Sequence, residues 1–260
     1  MTFALGSRAE ALGYRLIVFP EIGSTNAEGV ARAKAGERGP LWLVTAHQTA
    51  GRGRRHRAWT SPPGNLAASL LEVIDVAPQV AATLGFAAGV ALAQALRALQ
   101  IPAQLKWPND VLVEGSKLSG ILLEAEPAID GALAVVVGIG VNVVSAPQGT
   151  PYRAICLRDI GSRLTAEALF VALSDAWSDA RVLWADGTGM SKLRDLWLAH
   201  AAGVGGPVAV NLGGKSISGR FETIDEHGHL IVAMDNGKRV PISSGDVFFG
   251  DAASGVTGVA

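Results

Sequence analysis

Four short clusters in this sequence carry side chains suited to anions or polar ligands. The first is Gly51-Arg52-Gly53-Arg54-Arg55-His56-Arg57-Ala58-Trp59. Its four guanidinium groups cannot enter a core, because each needs water or an anion. Glycines let the backbone bend close to a ligand, and arginines clamp phosphate or carboxylate. The segment reads as a flexible anion-binding loop; taken alone, it reads equally well as a solvated basic tip. It is not a dinucleotide fingerprint, since His56 stands at the third glycine and the chain runs on to Pro62-Pro63. The second cluster is Lys106-Trp107-Pro108-Asn109-Asp110. Pro108 fixes its own φ and favours an extended Trp107, which would set an apolar plate beside the polar residues. Lys106 suits a phosphate, while Asn109 and Asp110 suit a hydrated magnesium ion or a polar ligand edge. An ordinary turn would use the same Asn-Asp pair.

The third cluster, Lys117-Leu118-Ser119-Gly120, opens an apolar strand. Lys117 there needs a ligand or partner, or else snorkels to water. Gly120 leaves the strand surface bare for close approach. The fourth, Gly138-Ile139-Gly140-Val141-Asn142, ends a run of valines. An amide in such a run must be hydrogen-bonded, either to backbone or to a ligand.

The elements that must position these clusters can be read from pattern. Strands are expected at 14–19, 41–46, 65–74, 103–107, 111–113, 118–125 and 133–143. The turn Glu114-Gly115-Ser116 makes 111–113 and 118–125 a hairpin. Ser24 caps a helix that stops near Gly36, and Pro78 starts one long helix over 79–99. Helices are also expected over 165–185 and 190–202. Strands and helices alternate irregularly, which predicts an α+β fold with a mixed β-sheet packed against helices. After the breaker cluster 203–207, five strands follow within about 45 residues: 208–212, 216–224, 230–234, 239–243 and 247–249. That texture predicts a small SH3-like β-barrel. The expected division is a catalytic region over 1–203 and a barrel over 204–260.

The chain has 260 residues and a formal net charge of -1. A general nucleic-acid binder is usually basic overall, so the arginine cluster is a local device. A single cysteine, Cys156, allows no internal disulfide and suits a reducing cytosol. No signal peptide is visible at the N-terminus, and the most apolar helix carries Gln79, Gln94 and Arg97. The expectation is a cytoplasmic protein without a membrane span.

Taken in order, Ser24-Thr25-Asn26, Gln48, Gly51-Arg52-Gly53-Arg54-Arg55, Trp59, Lys106 through Asp110, Lys117 through Gly120 and Gly138 through Asn142 closely resemble the biotin–protein ligase family. The resemblance covers about 17–143 by motif, and the small C-terminal barrel matches the family's usual tail. It implies a class II synthetase-like catalytic domain. It also implies the activity: biotin and ATP form biotinyl-5′-AMP and pyrophosphate. Biotin then passes to one lysine of the biotin carboxyl carrier domain of a biotin-dependent carboxylase. By this resemblance Arg54 and Lys117 are catalytic. Ser24, Thr25, Asn26, Gln48, Gly51, Arg52, Lys117 and Gly120 bind biotin. Arg52, Arg54, Arg55, Trp59, Asn109 and Asn142 bind ATP, with Mg2+ at Asp110. The arginine segment would then be mobile when empty and ordered over the adenylate.

Two residues depart from the family's pattern: His56 where glycine is usual, and Ala58 where lysine is usual. About 13 residues precede the first strand, too few for the DNA-binding helix-turn-helix of some relatives, so no DNA binding is expected. Monomer and homodimer both stay open. The alternative is a lipoate–protein ligase or octanoyltransferase, which shares a related fold and the same kind of target lysine.

Overall fold

A computed structural model of the chain describes residues 2–250 except Ile129 and Gly214; the side chain of His56 also lies outside the described set. One expectation falls partly there: the end of the barrel region, beyond residue 250.

In chain order the elements begin with α1 (Ser7–Ala11), β1 (Arg15–Phe19), α2 (Thr25–Lys34) and β2 (Leu41–Thr45). Next come β3 (Gln48–Arg52), β4 (Ala58–Ser61), β5 (Leu66–Ile74), α3 (Pro78–Ala81) and α4 (Leu84–Ala98). Then follow β6 (Gln104–Lys106), β7 (Asp110–Val113), β8 (Ser116–Pro127) and β9 (Leu133–Val141). Helices α5 (Ala166–Trp184) and α6 (Met190–His200) complete this part. The last five strands are β10 (Pro207–Asn211), β11 (Ser216–Ile224), β12 (Leu230–Ala233), β13 (Arg239–Ile242) and β14 (Asp246–Phe249).

The large sheet is mixed, as expected, with order β1-β2-β5-β9-β8-β7-β6. Only β1 and β2 run parallel. Side chains alternate between its faces. On β9, Val135 and Val137 join the main core with α4, α5 and α6, while Ala134 and Val136 join a smaller cluster with Val30 and Ala33 of α2. The same alternation puts Gly138 and Gly140 on the α2 face. The strand register brings Ser69 of β5 opposite Gly138, and Leu122 and Gly120 of β8 opposite Gly138 and Gly140. One face is therefore filled by helices; the other is only partly covered by α2. That bare stretch is where a ligand can lie.

Two elements differ from the sequence expectation. The arginine segment is a β-hairpin, with β3 paired to β4 and a short 3-10 turn over Arg54–His56 at its tip. Arg55 carries the left-handed turn at φ 55°. The helix expected over 79–99 is split into α3 and α4. At the break the Thr83 hydroxyl donates to the Val80 carbonyl (2.6 Å) and accepts from the Trp184 indole (2.7 Å), so side-chain bonding replaces helical continuity. Together α3 and α4 are long and apolar enough for a bilayer by composition, yet most of that stretch is buried inside the fold.

The second sheet has five antiparallel strands in the order β13-β12-β11-β10-β14. It docks on the first through Trp107. This indole is 1% exposed and donates from Nε1 to the Gly228 carbonyl (2.9 Å) in the β11–β12 turn. Phe86 of α4 packs against the same glycine and edge-on to Trp197.

Candidate active site

The bare stretch of the large sheet floors a cavity of about 500 Å³. Its walls come from the start of α2, the β3–β4 hairpin, the β6–β7 corner, the loop 151–153 and the start of β14. Glycines make the space. A Cβ at Gly140 would fall inside the Trp59 indole, and one at Gly138 would fall on the Asn26 amide oxygen. Gly140→Ala is expected to cost about 1–3 kcal/mol by overpacking. Urea unfolding measures it, and a variant as stable as wild type would show that Trp59 swings aside freely.

The polar end of the cavity is built on the first turn of α2. The Ser24 hydroxyl accepts from the Ala27 backbone N–H at 3.3 Å and caps the helix. This holds Thr25 and Asn26 inward, 3% and 4% exposed. Gln48 Oε1 accepts from the Thr25 backbone N–H (2.9 Å) and the Thr25 hydroxyl (3.2 Å). Asn26 Nδ2 donates to Glu124 Oε2 (2.8 Å) and to the Leu122 carbonyl (3.3 Å). Its Oδ1 lies 2.6 Å from the Ser69 hydroxyl. Arg52 Nη2 reaches the same Glu124 oxygen at 3.2 Å.

The charged end gathers Arg54, Lys106 and Lys117 around Asp110. Lys117 Nζ stands 2.6 Å from Asp110 Oδ1, with the Trp59 and Tyr152 rings 5.7 and 5.0 Å away. Arg54 donates to Asn109 Oδ1 (2.9 Å), and Asn109 is fixed in turn by its Nδ2 bond to the Ile121 carbonyl (2.7 Å). Burial pushes the Arg54 guanidinium and the Lys106 ammonium below their ordinary pKa values, with neighbouring cations adding to the effect. Both shifts have the sign of cations short of counter-charge. Arg55 and Arg57 pair with Asp246 of β14, at 2.7 and 3.0 Å, along the cavity wall.

Most residues expected from the sequence meet here: Ser24, Thr25, Asn26, Gln48, Arg52, Arg54, Arg55, Trp59, Asn109, Asp110, Lys117 and Gly120 all line the cavity. Gly51 and Asn142 do not. Gly51 packs behind the wall, where a Cβ would meet Gln48 Nε2 and the Trp59 carbonyl. Asn142 is 1% exposed, and its Nδ2 donates to the Ile155 carbonyl at 3.2 Å. Trp107, expected as an apolar plate beside the polar residues, lines the cavity with Lys106, Asn109 and Asp110 and also serves the junction with the second sheet. Ser69, Glu124, Tyr152 and Asp246 were not anticipated. Ser69 had a signal, being a lone hydroxyl in the apolar run Leu66–Leu71. The others are joined to the site only by folding. A dedicated divalent-cation cage does not fit: among the described residues no three His, Cys, Asp or Glu converge, and Asp110 is taken by Lys117.

A glycine-floored slot with donors and acceptors at one end and crowded cations at the other suits a polar-headed acid held beside a second anion, as in an acid-activating ligase. Comparison with known proteins gives that class its family. Residues 24–142 match the biotin/lipoate A/B protein ligase family, and residues 204–250 match the biotin protein ligase C terminal domain. A biotin–[acetyl-CoA-carboxylase] ligase of Paracoccus denitrificans is 38% identical, over 87% of this chain and 97% of that protein. One from Mycobacterium tuberculosis is 36% identical, over 90% and 89%. The structure of Aquifex aeolicus biotin protein ligase in complex with biotin and ATP superposes with a TM-score of 0.76 at 25% identity, covering 91% of this chain and 99% of that one. The chain belongs to the biotin–protein ligase family.

Proposed function

We infer that the protein is an ATP-dependent biotin–protein ligase. It joins biotin and ATP to give biotinyl-5′-AMP and pyrophosphate, then transfers biotin to a lysine of a biotin carboxyl carrier domain. The observation that carries this reading is the convergence of Arg54, Lys106 and Lys117 at the end of the slot away from its amides. The biotin carboxylate must attack the α-phosphate of ATP, and two anions approach only where fixed cations cancel their repulsion. In this reading Lys117 meets the reacting oxygens and Arg54 the phosphate, with Trp59 beside the nucleotide. Thr25, Asn26 and Gln48 hold the ring of biotin, and the ring's urea gives their amides partners. A lipoyl dithiolane offers none and would leave buried amides unpaired, which disfavours the lipoate alternative.

Magnesium belongs with the nucleotide in this reading, since this ion binds through one or two carboxylates plus substrate phosphates. Asp110 is the carboxylate within reach. The single cysteine, free and buried, is compatible with the cytoplasm. The test is pyrophosphate release by purified protein with biotin, ATP and magnesium. Release should require biotin and fall about 10²-fold in Arg54→Ala, the scale of one lost transition-state donor. Absence of biotin-dependent release from the wild type ends the ligase reading.

A further inference from the structure

We propose that Glu124 and Ser69 are positioning residues that set specificity at the polar end of the cavity, by fixing which atom of the Asn26 amide the ligand meets. The inference rests on the ligase reading for the identity of the ligand. It goes beyond that reading in assigning two residues that do not themselves line the cavity.

The orientation of an amide follows from its partners. A carboxylate can only accept, so Glu124 Oε2 at 2.8 Å forces Nδ2 of Asn26 to that side. The Leu122 carbonyl at 3.3 Å takes the second N–H. Both donors are thereby spent. Oδ1 must lie opposite, where the Ser69 hydroxyl donates to it at 2.6 Å. One lone pair remains, and Oδ1 lies over the bare Cα of Gly138, where both residues line the cavity. Asn26 therefore offers the ligand an acceptor and nothing else.

Gln48 is fixed by the same logic with the opposite outcome. The Thr25 backbone N–H can only donate, so it holds Oε1 and leaves Nε2 for the ligand. The end of the cavity presents one acceptor and one donor, each locked. A cyclic urea supplies the matching N–H and C=O. Glutamine at position 124 would keep the shape of glutamate but could donate, leaving only the longer bond to the Leu122 carbonyl to hold Nδ2 on that side.

The test is steady-state kinetics of Glu124→Gln and Ser69→Ala with biotin, with desthiobiotin (which keeps the urea) and with ATP. The expected result is a rise of about 10-fold or more in KM for both urea-bearing acids, the scale of one mispaired buried hydrogen bond. KM for ATP, and kcat at saturating biotin, should move less than about two-fold. Ser69→Ala leaves the Glu124–Arg52 pair untouched, so the same split in it excludes an effect through that pair. It carries the test alone if Glu124→Gln does not fold. Equal changes in the biotin and ATP constants, or no change in either, overturn the proposal. Neither result touches the ligase reading, which fails only if the wild type is inactive.

Discussion

Lys117→Met is expected to lower pyrophosphate release by about 10²–10³-fold, the range for removing one preorganised group that meets developing charge. Lys117 Nζ is held by the Asp110 carboxylate and flanked by the Trp59 and Tyr152 rings. Its ammonium is therefore fixed before any ligand arrives, and little reorganisation is left for the reaction itself. Methionine keeps the stem but deletes the charge. It also strands Asp110, whose side chain is 21% exposed, so some stability should go too. The double variant Lys117→Met/Asp110→Asn separates the two effects: it should recover the melting temperature and leave turnover low. Single-turnover pyrophosphate release together with thermal melts checks this. A loss of only a few-fold in Lys117→Met would remove Lys117 from the reaction.

Trp107→Ala is expected to cost about 3–5 kcal/mol, among the largest effects of any single core truncation in this chain. The side chain is almost wholly buried between the two sheets, and its indole N–H serves the Gly228 carbonyl. Truncation opens a cavity at the junction and removes that bond at once. Trp107→Phe keeps most of the volume and leaves the carbonyl unpaired, so a smaller loss of about 1–3 kcal/mol should follow. Denaturant midpoints measure both. If Trp107→Ala loses less than about 1 kcal/mol, the second sheet is only loosely attached and the junction has been misjudged.

These two residues also mark what the sequence discloses. Lys117 was legible because a lysine opening an apolar strand needs a partner, and the neighbouring motifs named a ligand for it. The strands, their hairpin at Glu114-Gly115 and the barrel texture were legible because period-two runs and turn residues are local signals. Trp107 was legible only in part, for the converse reason: its second role, at the junction, was hidden. Its partner, Gly228, lies 121 positions away, and nothing local distinguishes a ligand plate from a core anchor. The arginine segment failed as a loop because only the pairing of β3 with β4 makes it a hairpin, and charge composition hides that pairing. Nothing local in the sequence sets Glu124 apart from any other strand carboxylate. Only the register of β8 against β9, and the seating of α2 above them, bring it to Asn26.

The pairs of Arg55 and Arg57 with Asp246 bear on how the hairpin rests. All three side chains are more than a third exposed, and such pairs contribute no more than about 1 kcal/mol each. One kcal/mol is about a five-fold bias in population, enough to favour a resting position but not to impose one. Screening acts on such pairs within a Debye length of about 8 Å at physiological ionic strength. What these two pairs contribute to the hairpin's resting position is thus salt-dependent. How firmly these two pairs hold the hairpin against β14 is set in part by the surrounding electrolyte.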